Sequence, residues 1–308
     1  MQHSYTFEAA YAASQKVHWE IEDIIGGDKT LDFSKPFMPE SLARVDELGF
    51  MTPTEKKAMN QIRGHGYLYL FGAVEEFILP FVVDHARSHM NGDDYRTRAL
   101  LQFAGEEAKH IHLFKQFRTA FQDGFGTTCD VIGPPEAIAC FVMSHHPLAV
   151  ALLILHIEWM TQRHYVESVR DRQDLDPQFK SLLKHHWIEE AQHAKLDTLM
   201  VESIAEGCSP IDVERALDDY VKIGGFLDEG LKQQVQFDMN CFVRATHRSL
   251  RGDEQAEFIE VQHQANRWTF LGSGMTDRNF LATIEGVSPG ARQAIERMAP
   301  VFCCWNPE

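Results

Sequence analysis

The stretch EEAKH at residues 106–110 recurs as EEAQH at residues 189–193, with four of the five positions identical. Both copies lie in segments that carry helix signals, and on a helix the residues i and i+3 share one face. In each copy the second glutamate and the histidine can therefore present a carboxylate oxygen and an imidazole nitrogen to the same point. These pairs are Glu107 with His110, and Glu190 with His193. The repeat predicts two helices that each supply two metal ligands.

A single Glu-x-x-His spacing is weak evidence for a metal site, because a chain of this length and composition contains about one by chance. Glu260 and His263 form a third instance, which has no partner helix of the same kind. We interpret this third pair as an ordinary helix-surface pair. The two copies that share a five-residue context are much harder to obtain by chance, and the prediction rests on them.

A dinuclear site built on two such helices needs further carboxylates from two other helices. Glu75 and Glu76 lie in an apolar segment before the first motif, and Glu158 lies in another before the second. Acids in such segments are costly to bury unless they are paired, protonated or bound to metal. Spacing symmetry with Glu158 favours Glu75, whereas Pro80, which should distort the helix at residue 76, favours Glu76. We predict Glu76 as the ligand, with Glu75 as the alternative.

His186 adds a third imidazole to the candidate ligands, because it lies one helical turn before Glu190. Asp197 lies one turn after His193 and is predicted to accept a hydrogen bond from that histidine, which would fix its tautomer. Carboxylate oxygens combined with imidazole nitrogens suit iron or manganese, and the set lacks the thiolates of a structural zinc site.

Helix start signals organise the rest of the chain. Thr52-Pro53, Asp176-Pro177 and Ser209-Pro210 each place a capping residue before a proline at the first helical position. Strand-like alternation is scarce. We therefore predict an all-α fold in a single domain, residues 1–308. Its predicted parts are an N-terminal arm (1–49) with an extended piece at Phe33–Met38, a four-helix core (50–205), and additional C-terminal helices (209–308) with a loop at Gly272–Asn279.

The composition narrows the class of partners. The 308 residues contain 29 Lys and Arg against 45 Asp and Glu, for a formal net charge of -16. This balance argues against nucleic-acid and anionic-membrane partners, which need a basic face. The N-terminus lacks the pattern of a secretory signal, and the longest uninterrupted apolar run, Pro147 to Leu155, is too short to span a bilayer, so we predict a cytoplasmic protein. The six cysteines are expected to be mostly buried thiols in that reducing compartment.

The paired EExxH helices resemble the ferritin-like di-iron carboxylate superfamily. The longer pattern HxxxExxH at residues 186–193 is similar to that of the p-aminobenzoate N-oxygenase family, in which one iron gains an extra imidazole. The resemblance covers residues 50–205. It implies a ferritin-like helical bundle with two bound iron ions, or manganese in place of one of them. The implied ligands are Glu76, Glu107, His110, Glu158, His186, Glu190 and His193.

The function implied by this resemblance is a non-haem di-iron oxygenase that activates dioxygen and oxidises a small organic substrate, such as an aromatic amine, at nitrogen. An external electron donor is expected, because the sequence has no GxGxxG fingerprint for a flavin or nicotinamide. Another oxidation at the same site, such as hydroxylation or desaturation, is the alternative within enzymes. The alternatives outside catalysis are an iron-storage or iron-binding bundle and a metal-free interaction protein. A homodimer is the default expectation for the assembly.

Overall fold

The computed structural model describes residues 3–303 and consists of helices joined by short connections, with no strand among these residues beyond one isolated bridge between Gly26 and Lys29. The helices are α1 (Phe7–Ser14), α2 (Glu40–Ala43), α3 (Pro53–Arg87), α4 (Asp94–Phe125), α5 (Pro135–Met143), α6 (Pro147–His164), α7 (Pro177–Glu206), α8 (Pro210–Thr246), α9 (Gly252–Arg267), α10 (Ser273–Met275), α11 (Arg278–Val287) and α12 (Pro289–Met298). The all-α prediction is confirmed.

The long helices begin where the capping signals predict. The Thr52 hydroxyl accepts a hydrogen bond from the amide of Glu55, whose carboxylate accepts one from the amide of Thr52, and Pro53 occupies the first helical position. The Asp176 carboxylate caps α7 in a similar way, by accepting from the amide of Phe179. These caps satisfy amides that have no partner inside the helix, and they set the register of the residues further along.

Four long helices form the core. Helix α3 packs along α4, α6 packs along α7, and α4 contacts α7. Each pair therefore combines one helix that buries a single glutamate, Glu75 or Glu158, with one that carries Glu-x-x-His, which is the arrangement of a ferritin-like bundle. Helix α1 of the N-terminal arm covers α4 and α7, and α8 packs against α3 and α6. The buried apolar side chains form one cluster from Ala10 to Phe302, which supports our proposal of a single domain.

The segment Gly272–Asn279 is more helical than predicted. A π-helical turn, Trp268–Gly272, joins α9 directly to α10, and α11 begins at Arg278. The glycines that suggested a loop serve close packing instead, because a Cβ on Gly274 would collide with His156. In the arm, Phe33–Met38 forms turns and bends rather than a strand.

Helix α3 passes a length and composition test for a membrane span, since it contains an 18-residue window of mean hydropathy 1.5. In the structure 67% of that window is buried inside the protein. A helix of this kind that packs along α4 and α8 is a core helix of the bundle.

The cysteines differ from the prediction. Cys129 and Cys241 are buried but joined in a disulfide, because the connection after α4 returns against α8 and brings their Cα atoms to 5.3 Å. Cys140 is exposed, and Cys208 and Cys303 are half-buried. Cys304 lies outside the described residues.

Candidate metal centre

The four core helices bring acidic and imidazole side chains together in the middle of the bundle. Each of these side chains belongs to a residue that is at most 4% exposed. Helix α3 contributes Glu75, α4 contributes Glu106, Glu107 and His110, α6 contributes Glu158, and α7 contributes His186, Glu189, Glu190, His193 and Asp197. Six of the seven predicted ligands are therefore in or beside one cluster.

Two groups of donor atoms within this cluster have the spacing needed to hold a metal ion. In each group the donor atoms lie within 4.8 Å of one another. The first group is Glu75, His110, His186 and Glu190, and the second is Glu107, His110, Glu190 and His193. Because His110 and Glu190 belong to both groups, the two positions are adjacent, as a dinuclear site requires.

Glu190 is the centre of this arrangement. Its Oε1 atom lies 2.7 Å from His186 Nε2 and 3.0 Å from His110 Nδ1, and its Oε2 atom lies 2.7 Å from His193 Nδ1. Burial alone would raise the pKa of this carboxyl, but the imidazoles of His193 and His186 hold it well below its usual range. The Glu190 carboxylate can therefore reach either metal position in its charged form.

His186 faces the first position. Its Nε2 atom lies 2.9 Å from Glu75 Oε1 and 2.7 Å from Glu190 Oε1. Burial opposes the charged imidazole, but the Glu190 carboxylate raises the pKa of His186 to about 9. This nitrogen would have to lose its proton to bind a metal, so metal uptake would be coupled to proton release.

The first glutamate of each EExxH motif orients the histidine of the other motif. Glu189 Oε2 lies 2.8 Å from His110 Nε2, and Glu106 Oε2 lies 2.8 Å from His193 Nε2. When each Nε2 donates to its carboxylate, each Nδ1 is left to face the metal positions. This role was not predicted from the sequence, although the doubled glutamate in both motifs was a usable signal. Lys109 reinforces the arrangement by donating to Glu189 over 2.6 Å.

The prediction of Glu76 is corrected by the structure. Helix α3 continues through Pro80, and successive helical residues point about 100° apart, so only one of the two glutamates can face the bundle axis. Glu75 faces it, whereas Glu76 points outward to an ion pair with Lys115 at 3.2 Å. Burial and the neighbouring Glu107 carboxylate raise the pKa of Glu75 to about 8.

The predicted role of Asp197 is also corrected. Glu106 occupies the Nε2 atom of His193, and both carboxylate oxygens of Asp197 are buried without a hydrogen-bond partner. Burial, with Glu107 and Glu190 nearby, raises the pKa of Asp197 well above its usual range, although His193 opposes the shift. Asp197 is therefore a buried acid beside the two donor groups, and it is not the hydrogen-bond acceptor for His193.

Glu158 lies beside the two groups but belongs to neither. Its carboxyl group shares a hydrogen bond with Glu190, and burial together with that carboxylate raises the pKa of Glu158 well above its usual range. A protonated Glu158 can donate its proton in this hydrogen bond to the Glu190 carboxylate. We propose that Glu158 becomes a ligand when metal takes the place of this proton.

The donor set fits two cations. Seven carboxyl groups are buried here with three imidazoles, and the half-buried Lys109 contacts one of the carboxylates, Glu189. Several carboxylate oxygens have no hydrogen-bond partner, namely Glu75 Oε2, Glu107 Oε2, Glu158 Oε2 and both oxygens of Asp197. Buried anionic oxygens without partners are costly unless they are protonated or bind metal. Divalent cations would supply the missing positive charge.

Three other histidines of the core and C-terminal helices lie outside this cluster. His156 Nδ1 contacts the Tyr220 hydroxyl at 2.6 Å, and His164 Nε2 contacts the Ser273 hydroxyl at 2.8 Å. His263 pairs with Asp228 across helices, so the third Glu-x-x-His spacing does not form a site with Glu260. The Glu-x-x-His spacing therefore marks the metal cluster only where it occurs within the repeated EEAxH stretch.

The orienting role of Glu189 leads to a testable prediction. A Glu189→Gln variant keeps the volume of the side chain but loses the charge that faces His110. We expect its affinity for iron to fall by roughly 10- to 100-fold, as measured by competition with a chelator. Glu202→Gln on the same helix serves as the control, because its carboxylate contacts His3 and does not belong to the cluster. Unchanged affinity in the Glu189 variant would contradict the orienting role.

No protein-family model matches the sequence, and no curated protein matches it. Solved structures that resemble the chain include mutants of an R2-like ligand-binding oxidase. One, with an aerobically reconstituted Mn/Fe cofactor, is 13% identical with a TM-score of 0.44, and the match covers 87% of this chain and 98% of that one. Another, with an aerobically reconstituted Fe/Fe cofactor, is 15% identical with a TM-score of 0.41, covering 87% and 94% of the two chains. Similarity at this level carries no conclusion about function, which must come from the residues of the cluster itself.

Proposed function

We propose that the protein is a two-metal oxidase that uses dioxygen to oxidise a small organic substrate. The observation that carries this proposal is the buried cluster in which Glu190 and His110 are shared by two adjacent donor groups. The metals would be two iron ions, or one iron and one manganese, since carboxylate and imidazole donors suit both. When bound, such a pair supplies the electron transfer that reduces dioxygen.

The side chains have distinct tasks in this proposal. Glu75, His186 and Glu190 would hold one ion, and Glu107, His193 and Glu190 the other, with His110 within reach of both positions. Glu106 and Glu189 hold the Nε2 protons of the two motif histidines and so keep their Nδ1 atoms directed at the centre. The surrounding helices exclude water, since every member of the cluster is buried.

For the substrate we propose an aromatic amine oxidised at nitrogen, on the strength of the HxxxExxH resemblance. In the first oxidation one oxygen atom of dioxygen is inserted into an N–H bond to form a hydroxylamine. The other oxygen atom leaves as water, with two electrons from an external donor and two protons. Hydroxylation or desaturation of a carbon substrate would use the same cluster and the same electron balance, and a product analysis separates these reactions.

We further propose that the protein acts in the cytoplasm and forms a homodimer. Size-exclusion chromatography with light scattering tests the dimer. An assembly the size of a hollow shell would instead favour iron storage. Cell fractionation tests the location.

The first experiment measures metal content per chain after expression with iron supplied, followed by the optical spectrum when the reduced protein meets dioxygen. We expect about two metal ions per chain and a visible absorption change on exposure to dioxygen, followed by consumption of an arylamine. A folded helical protein without metal would overturn the oxidase proposal and leave an interaction role. Iron that oxidises and accumulates far beyond two ions per chain would point to storage.

A further inference from the structure

A cavity of about 570 Å³ lies between α3, α5, α6 and α8, beside the metal centre. A volume of this size accommodates a small organic molecule. Its walls are mostly aliphatic and aromatic, and Leu70, Val74 and Met160 are examples from the core helices. The cavity opens towards solvent near Phe226 of α8, whose side chain is exposed. It is therefore a pocket with an apolar interior and a mouth at the protein surface.

The inner end of this cavity reaches the metal cluster through one side chain. Phe71 lines the cavity and also packs edge-to-face on His186, with ring centroids 5.5 Å apart. Val74 and Ile157 also line the cavity, and they directly precede Glu75 and Glu158 in the sequence. A molecule bound at the inner end would thus lie one aromatic ring away from the metal positions.

The charge of the lining is the informative feature. Among the described residues that line the cavity, Glu229 is the only charged one, and no lysine, arginine or histidine is present. Glu229 and Gln233 lie at exposed positions of α8, so the polar groups are at the mouth. A carboxylate carried into the interior would lose its hydration without gaining a cation, which costs several kcal/mol. An uncharged molecule has no such cost.

We propose that this cavity is the substrate site and that it selects uncharged arylamines over arylamines that carry a carboxylate, such as p-aminobenzoate. The proposal rests on the proposed function, because it names the substrate class of the same metal centre. Uncharged arylamines match both the apolar walls and the lack of a cation in the lining, since their ring is apolar and their amino group is neutral at pH 7. Phe71 would lie between the bound ring and His186, one of the proposed metal ligands.

The selectivity is tested by calorimetric measurement of arylamine binding to the 308-residue protein. The measurement is made on the protein as isolated and again after a chelator has removed its metal. The probes are 4-ethylaniline and p-aminobenzoate, which share the aminophenyl group and differ in charge. We expect 4-ethylaniline to bind at least about 100-fold more tightly. Equal affinities would overturn the selectivity. Because the metal-free protein is included, this result is independent of metal loading and turnover, and so of the oxidase proposal.

Two pairs of surface variants locate the site. Ala137→Trp places a large ring in the cavity mouth on α5, whereas Glu136→Trp puts the same ring on the adjacent exposed residue outside the lining. We expect only the first to weaken 4-ethylaniline binding, on the order of tenfold. Equal binding by both variants would place the arylamine elsewhere and overturn the proposal.

The second pair adds the missing cation. Gln233→Arg introduces a guanidinium group at the mouth, and Gln236→Arg makes the same change at another exposed position of α8 that does not line the cavity. We expect p-aminobenzoate to bind about threefold or more tightly to the first variant alone, the gain of a partly exposed ion pair. An equal gain in both variants would show that net charge, not the cavity, controls binding of the carboxylate, and would count against the proposal.

Discussion

A Glu75→Ala variant is expected to lose at least one of the two metal ions, whereas a Glu76→Ala variant retains both. Glu75 Oε1 lies 2.9 Å from His186 Nε2 and belongs to the first donor group, while Glu76 pairs with Lys115 at the surface of the bundle. Removing Glu75 deletes one carboxylate donor and leaves its share of the cation charge uncompensated. Metal content per chain should fall from about two ions to about one or fewer. The affinity of the emptied position for iron should fall by more than about 100-fold. Elemental analysis after equilibration with iron measures both.

The pair of variants carries its own control, because the two residues are neighbours of identical chemistry on one helix. Removing Glu75 breaks its contact with His186 but also removes a buried carboxylate oxygen, Oε2, that has no hydrogen-bond partner, so the metal-free variant should remain folded, and its helical circular dichroism checks this. Full metal content in the Glu75 variant together with loss of metal in the Glu76 variant would show that Glu76 is the ligand, as Pro80 had suggested. Loss of metal in neither variant would show that iron binds elsewhere.

Metal loading is expected to raise the melting temperature of the protein by roughly 10 °C. A ligand that binds only the folded state stabilises it by about 4 kcal/mol at 1,000 times its dissociation constant, so two ions contribute about 8 kcal/mol. For a chain of this length the entropy of unfolding converts that free energy into a shift of this size. The physical source is the set of buried carboxylate oxygens that have no hydrogen-bond partner in the metal-free protein. Differential scanning calorimetry with and without iron, followed by addition of a chelator, measures the rise and its reversal.

Two variants test whether this shift originates at the cluster. Glu190→Ala removes the carboxylate that contacts all three imidazoles, so iron should no longer raise its melting temperature. Glu260→Ala removes the glutamate of the Glu-x-x-His spacing that forms no site, and it should show the full rise. A rise that survives in the Glu190 variant would mean that the stabilising ion binds outside the cluster.

Local sequence signals were sufficient to predict the long helices and most of the cluster. Helix boundaries such as Thr52-Pro53 are local, because a cap and its first turn lie within four residues of each other. The i,i+3 spacing of Glu107 and His110 is equally local, since helical geometry alone places both on one face. Repetition of that spacing in a second helix then predicted that the two faces meet, because buried acids need a shared partner.

Two features depend on how the helices pack: which of two neighbouring side chains faces the centre, and which helix supplies each partner. The choice between Glu75 and Glu76 depends on the rotation of α3 about its axis, which is set by packing against α4 and α8 rather than by Pro80. The contacts of Glu106 with His193 and of Glu189 with His110 join α4 to α7 through residues that are 87 and 79 positions apart in the chain. The cavity beside Phe71 is likewise enclosed by four helices. Distances between helices are not encoded in local spacing, because they arise only when the bundle buries its apolar faces.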